Sequence, residues 1–133
     1  RGLEGGGAAG GIAAGAVAFF GAELVSGVDE MIRISNLTTQ IQSADWVITG
    51  EGRVDSQSLD GKVLSGVIQI AKAASVKVAV IAGSCELREE DLQKAGLAVA
   101  LPANEEGLPL EEAIRRAAEL AETAGRTFAS NWL

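Results

Sequence analysis

A chain of 133 residues with a hydrophobic share of 47% is long enough to form one domain around a core of its own. Its net charge of −7 argues against nonspecific attraction to nucleic acid, and no Lys/Arg cluster or aromatic ladder points the other way. With no histidine and a single cysteine, Cys85, the chain has no imidazole chemistry, no zinc site of the usual kind and no internal disulfide, which suits a reducing cytoplasm.

Residues 8–24 follow a Gly/Ala run and read as a helix, with Ile12, Ala16, Phe19, Phe20 and Leu24 as its heavier apolar positions and Ser26-Gly27 as its stop. Its apolar part, 12–24, falls short of the roughly 20 residues a bilayer requires, so no membrane span is expected, nor a secretory signal. Residues 28–37 read as a short helix with Met31, Ile32 and Leu37 inward, and 46–49 as a buried strand. Asp60 is a candidate cap for a helix over 61–74, whose inner face would be Val63, Leu64, Val67, Ile68 and Ala71. The β-branched run 76–82 reads as a second buried strand, ended by Gly83-Ser84. Residues 89–95 form a short helix closed by Gly96, and 97–101 a third strand ended by Pro102. After a loop at 104–107, Pro109 opens a helix that keeps its apolar spacing through Leu110, Ala113, Ile114, Ala117, Ala121, Ala124 and Phe128.

Strands that alternate with helices predict an α/β fold: a parallel three-stranded or slightly larger sheet flanked by helices, a partial Rossmann-like unit. We expect residues 1–133 to make a single such unit. Three strands are few for such a sheet, and the chain opens on Arg1-Gly2-Leu3-Glu4 without an initiator Met, so we expect a piece of a longer polypeptide.

Chemistry in parallel α/β sheets collects at the carboxyl ends of strands. The three loops there are 49–60, 82–87 and 102–108, and the first carries most of the reactive groups. Asp55 and Glu51, four apart, could share a cleft, where a carboxylate takes a proton from a hydroxyl or holds Mg2+ beside phosphates; equally, they could solvate the loop or pair with Arg53. Arg53 is either a fork for a carboxylate or phosphate or half of an internal ion pair. Lys62, in the first turn of its helix, faces the positive end of the helix dipole; it either serves an anion there or points into water. Two short motifs carry little. Gly5-x-Gly7-x-x-Gly10 matches a dinucleotide fingerprint but lacks the preceding strand, which weighs against a redox module. Gly61-Lys62 lacks the rest of a P-loop. Cys85 has no activating base and reads as a small packing residue, and Trp46 and Trp132 read as packing anchors.

The stretch from Asp45 to Lys62 resembles a pattern of the bacterial glycerate kinase family, Asp-x-Val-Ile-Thr-Gly-Glu-Gly-Arg-x-Asp-x-Gln-(Ser/Thr)-x-x-Gly-Lys, with Gln57 and Ser58 in place. The Gly5-to-Gly11 run, Val78-Ala79-Val80-Ile81-Ala82-Gly83-Ser84 and Leu110-Glu111-Glu112-Ala113 follow in family order, so the resemblance covers nearly the whole chain. It departs at Glu4-Gly5-Gly6-Gly7, where the family usually has Pro-Gly-Ala-Gly, and at Val54, Ser58 and Val63, where Leu, Thr and Pro are commoner.

The resemblance implies the C-terminal fragment of a two-domain enzyme that phosphorylates a hydroxyl of D-glycerate with ATP and Mg2+, with its active site in the cleft between domains. It implies Asp55 as base or Mg2+ ligand and Lys62 as the group that neutralises anionic charge. It further implies Arg53 on the glycerate carboxylate, Glu51 orienting Arg53 or the metal, and Thr49 and Ser58 as hydrogen-bonding groups. Partners would be glycerate, nucleotide and the missing N-terminal portion, with no nucleic acid and no membrane. The alternative is an inactive half-site that binds anions weakly, or one that forms a homodimer through the surface the missing portion would cover.

Overall fold

The computed structural model describes residues 3–59 and 62–133, Lys62 by its backbone alone. The expected helix cap at Asp60 and the helix start at Gly61 lie outside the described residues. Contacts divide the chain into two compact units, 1–35 and 36–133.

In the first unit, the Gly/Ala run does not begin an α-helix. Ala8–Gly11 is a 3-10 turn in which Ala9, Gly10 and Gly11 take positive φ (50°, 68° and 93°), and helix α1 starts only at Ile12–Phe20. Gly21, at φ 63°, closes it after Phe20, four residues short of the expected end at Leu24, because a left-handed glycine ends the helical hydrogen-bond ladder. Residues 4–7 form turns, so among the described residues no strand precedes the glycine fingerprint. Helix α2 (Gly27–Ile34) is capped by Ser26, whose Oγ accepts from Asp29 N at 3.4 Å.

The second unit holds the sheet. Its elements in order are α3 (Leu37–Ile41), β1 (Trp46–Val54), α4 (Ser56–Leu59), α5 (Lys62–Ala73), β2 (Lys77–Cys85), α6 (Glu89–Ala95), β3 (Val99–Pro102), α7 (Leu110–Arg115) and α8 (Ala117–Trp132). The strands pair in parallel in the order β1-β2-β3. This is the predicted α/β architecture. Strands β1 and β2 run further than expected, however. Trp46 pairs with Lys77, and the same register continues to Arg53 with Ser84 and Val54 with Cys85. The segment 50–54 is therefore strand rather than loop: its glycines keep extended φ and the ladder simply continues.

One face of the sheet packs on α5. Leu64, Ile68 and Ala71, at helical spacing, meet Val78, Val80 and Ala82 from β2, and Leu97 and Ile41 close the cluster. Val63, expected inward, is exposed because the buried stripe is centred on Leu64 and Ile68. On the other face Ala79 and Leu101 meet Ala124 and Phe128 of α8. Phe128 lies edge-on to Trp46 (centroids 5.1 Å apart), which packs against the core as an anchor, and stacks on Trp132 (5.7 Å), which covers it from an exposed position. The C-terminal helix expected to be continuous breaks at Arg116 (φ −99°, ψ 11°), whose guanidinium forks onto Glu119 at 2.8 and 3.0 Å. The break takes Leu110 and Ile114 off the buried stripe, and they remain exposed.

Gly96, at φ 94°, ends α6 as expected, and a Cβ there would stand 2.9 Å from Ile68 Cγ2. No helix among the described residues is long and apolar enough to cross a membrane.

Phe128 is 1% exposed and joins both tryptophans to the sheet. Phe128→Ala is expected to cost about 3–5 kcal/mol in urea unfolding. A loss below about 1 kcal/mol would contradict the packing described for this face.

Candidate functional site

The site is built where β1 and β2 end side by side. The alternation of faces fails at the last pair: Val54 and Cys85 both turn into the core on the α5 side, and Val54 is fully buried. Glu86 N donates to Val54 O at 2.9 Å and ties the two strand ends together. Gly83 lies so close to its neighbour that a Cβ on it would be 2.5 Å from Gly52 O; only glycine permits this approach.

Asp55 follows β1 and begins α4. Its Oδ1 accepts from Ser58 N at 2.9 Å, while Ser58 Oγ accepts from Asp55 N at 3.2 Å, a reciprocal capping box. The Ser58 hydroxyl proton is within reach of Arg53 O (2.9 Å) and Asp55 Oδ1 (3.0 Å). The backbone and hydroxyl donors of Ser58 hold the Asp55 carboxyl below its ordinary value, and the Arg53 charge adds a smaller effect in the same direction. Asp55 is therefore an ionised, weakly basic carboxylate.

Arg53 lies between two carboxylates. Its Nη2 donates to Glu86 Oε2 at 2.7 Å, and its Nε lies 3.4 Å from Asp55 Oδ2. Glu86 is the main cause that raises the guanidinium's pKa. The groups are exposed enough for solvent to weaken these pairs, so their value lies in aiming the guanidinium rather than in stability.

The structure thus brings Arg53, Asp55 and Ser58 together. Glu51 and Thr49 stand further back on β1, at the register of Ala82 and Val80. Glu51 lines a groove between the sheet ends and helices α7 and α8. Lys62 is the first residue of α5, and its side chain lies outside the described residues. Glu86 escaped sequence reasoning. Its signal was its position directly after the second strand: parallel strands that end in register set the following residues beside one another. Cys85 is half-buried against the core, with Sγ 4.0 Å from Leu87 O.

Among the described residues no three Asp, Glu or Cys side chains cluster as a metal site. Asp55 Oδ1 is taken up by Ser58, and Oδ2 faces Arg53. Magnesium fits these residues only through a single carboxylate contact, with its other ligands coming from phosphates and water.

A model of the glycerate kinase family matches residues 1–133. Over 132 residues the chain is 39% identical to a glycerate kinase of Halalkalibacterium halodurans, covering 98% of this chain and 35% of that protein. It is 37% identical over 131 residues to a glycerate kinase of Bacillus subtilis, covering 98% and 34%. Over 82 residues it is 50% identical to the glycerate 2-kinase of Escherichia coli, covering 62% and 22%. A solved chain from Salmonella typhimurium that carries a glycerate kinase 2 name superposes with a TM-score of 0.63 at 37% identity, over 97% of this chain and 34% of its own length. The chain spans about a third of the length of these full-coverage relatives.

Because the native pKa of Asp55 is depressed, its contribution to stability is complete above the ordinary carboxylate value and disappears as pH falls through the lower native value. Melting temperatures of the wild type and Asp55→Asn should therefore differ most near neutral pH and converge as the pH falls below the ordinary carboxylate range. A difference that stays constant with pH would contradict the capped, ionised Asp55.

Proposed function

Because the chain belongs to the glycerate kinase family, we propose that it forms the C-terminal part of an ATP-dependent kinase that phosphorylates a hydroxyl of D-glycerate to give phosphoglycerate. The observation that carries this reading is the cluster at the ends of β1 and β2: a guanidinium held between two carboxylates beside a capped, ionised aspartate. It supplies fixed charge for a small anionic substrate and needs no imidazole. Phosphoryl transfer asks chiefly for positioning and electrostatic stabilisation, so that is sufficient.

In this proposal Arg53 binds the glycerate carboxylate through its remaining N–H donors, aimed by Glu86 and Asp55. The substrate hydroxyl forms the new O–P bond as the bond from the γ-phosphorus to ADP breaks, and the hydroxyl proton leaves to a carboxylate or to water. Of the two roles open to Asp55, the depressed pKa favours that of an anionic anchor, and of a contact for Mg2+, over that of a strong base. Mg2+, bound with the nucleotide, would neutralise phosphate charge. Lys62, at the start of α5, is placed in sequence to meet the same anions. Ser58 acts by holding Asp55, while Thr49 and Glu51 offer hydrogen bonds further back on β1. A cytoplasmic setting suits the chain's single cysteine.

The 133 residues alone are a half-site on this reading, since they match about a third of the relatives' length; the rest of the parent polypeptide completes the cleft. If this chain by itself released ADP from ATP in a glycerate-dependent manner, the half-site reading would fail. In the parent enzyme, Asp55→Asn should lower glycerate-dependent ADP release by about a hundredfold or more, and Arg53→Lys should raise KM for glycerate. Unchanged turnover and KM in both variants would remove this cluster from the active site.

A further inference from the structure

Two glycines of β1 have no internal reason to be glycine. Gly50 and Gly52 lie outside the set of positive-φ residues, so their backbone conformation suits any residue. A Cβ on Gly52 would meet nothing within 4 Å, and one on Gly50 would meet only Ile81 O at an ordinary 3.9 Å. Gly83, by contrast, is explained by the close approach of Gly52 O. Glycine inside a strand costs conformational entropy, and where the protein does not require it, it marks a surface that something else approaches closely.

These bare positions line a groove of about 690 Å³ at the carboxyl ends of β1 and β2. Across from them stand Leu110 and Ile114, one turn apart on α7, which remain exposed at 75% and 66%. Ala113 and Ala117 keep that wall low. Asn104 stiffens the rim: its Nδ2 donates to Leu108 O at 3.0 Å and its Oδ1 accepts from Leu108 N at 2.9 Å. The groove's size and its apolar walls with few polar groups are those of a small-molecule site, at the place in an open α/β sheet where ligands bind.

We infer that this groove takes the adenine and ribose of the kinase's nucleotide, with the ring lying over Gly50 and Gly52 against Ile114. The inference rests on the kinase reading and extends it. A flat ring fits a floor without side chains and an aliphatic wall. An extended polypeptide segment laid flat on this floor fits it poorly, because the ladder groups that face β2 are already paired and such a segment would bury its own peptide groups unpaired. Along both strands the groove's floor ends one residue before the proposed anion-binding cluster, since Gly52 precedes Arg53 and Gly83 precedes Ser84, the partner of Arg53 in the ladder. A base seated here sends its phosphates towards the strand ends.

The test is a pair of titrations of this chain, followed by amide NMR, with ADP and with pyrophosphate, which lacks the base and ribose. ADP should shift the amides of Gly50, Gly52 and Ile114 saturably, and pyrophosphate should not. Gly52→Val, whose side chain enters open space, should weaken ADP binding by about tenfold or more while the melting temperature holds. Ala117→Phe fills the groove from the opposite wall and should do the same. Equal shifts from pyrophosphate, no shifts at these amides, or full ADP affinity in both folded variants would overturn the assignment. Glycerate-dependent turnover of the parent enzyme, measured alongside, separates the two readings. Turnover without base-dependent shifts overturns the groove alone; base-dependent shifts without turnover uphold the groove and remove the kinase.

Discussion

The parallel pairing of β1 with β2, held in register to its last residues, is the constraint on which the second unit depends. It needs Gly83, because the carbonyl of Gly52 occupies the space a side chain would fill. Without that approach the strands would part before Arg53. With it, Val54 and Cys85 roll together into the core on the α5 side, and the chain leaves both strands at one point. Residues 33 apart in sequence, Arg53 and Glu86, then meet without any long loop. The helices complete the arrangement: α5 covers one face through Leu64 and Ile68, and α8 the other through Phe128.

At the strand ends, folding and electrostatics use the same groups. The Asp55–Ser58 capping box turns the chain from β1 into α4 and also keeps Asp55 ionised. Asp55 then helps to hold Arg53, which Glu86 grips from the neighbouring strand. A site of this kind is set by the main chain, so its charges keep their places even though each exposed pair is weak in itself.

Much of this was legible in the sequence, and the failures have physical causes. The three strands, helix α6 with its Gly96 stop, and the packing role of Trp46 followed from β-branched runs, helical spacing and glycine position. Strand ends were misjudged because Gly50 and Gly52 look like loop residues, and only the partner strand keeps them extended. The start of α1 was misjudged because Gly10 and Gly11 take left-handed conformations, a choice their composition permits without announcing. The break at Arg116 lay inside an unbroken apolar period, and the ion pairs that hold it involve Glu119 and Glu106, which the period does not register. Arg53, Asp55 and Ser58 stood out as a charged, polar group after a strand. Glu86 did not, because its relation to Arg53 exists only once two strands lie side by side.

The account's central claim is that Arg53, aimed by Glu86 and Asp55, receives the carboxylate of glycerate at the end of β1. A crystal structure of the parent enzyme with glycerate and ADP bound tests it most directly. The account predicts the glycerate carboxylate within hydrogen-bonding distance of the Arg53 guanidinium, with Asp55 still capped by Ser58. Glycerate seated away from the ends of β1 and β2, with Arg53 bound only to its own carboxylates, would contradict it.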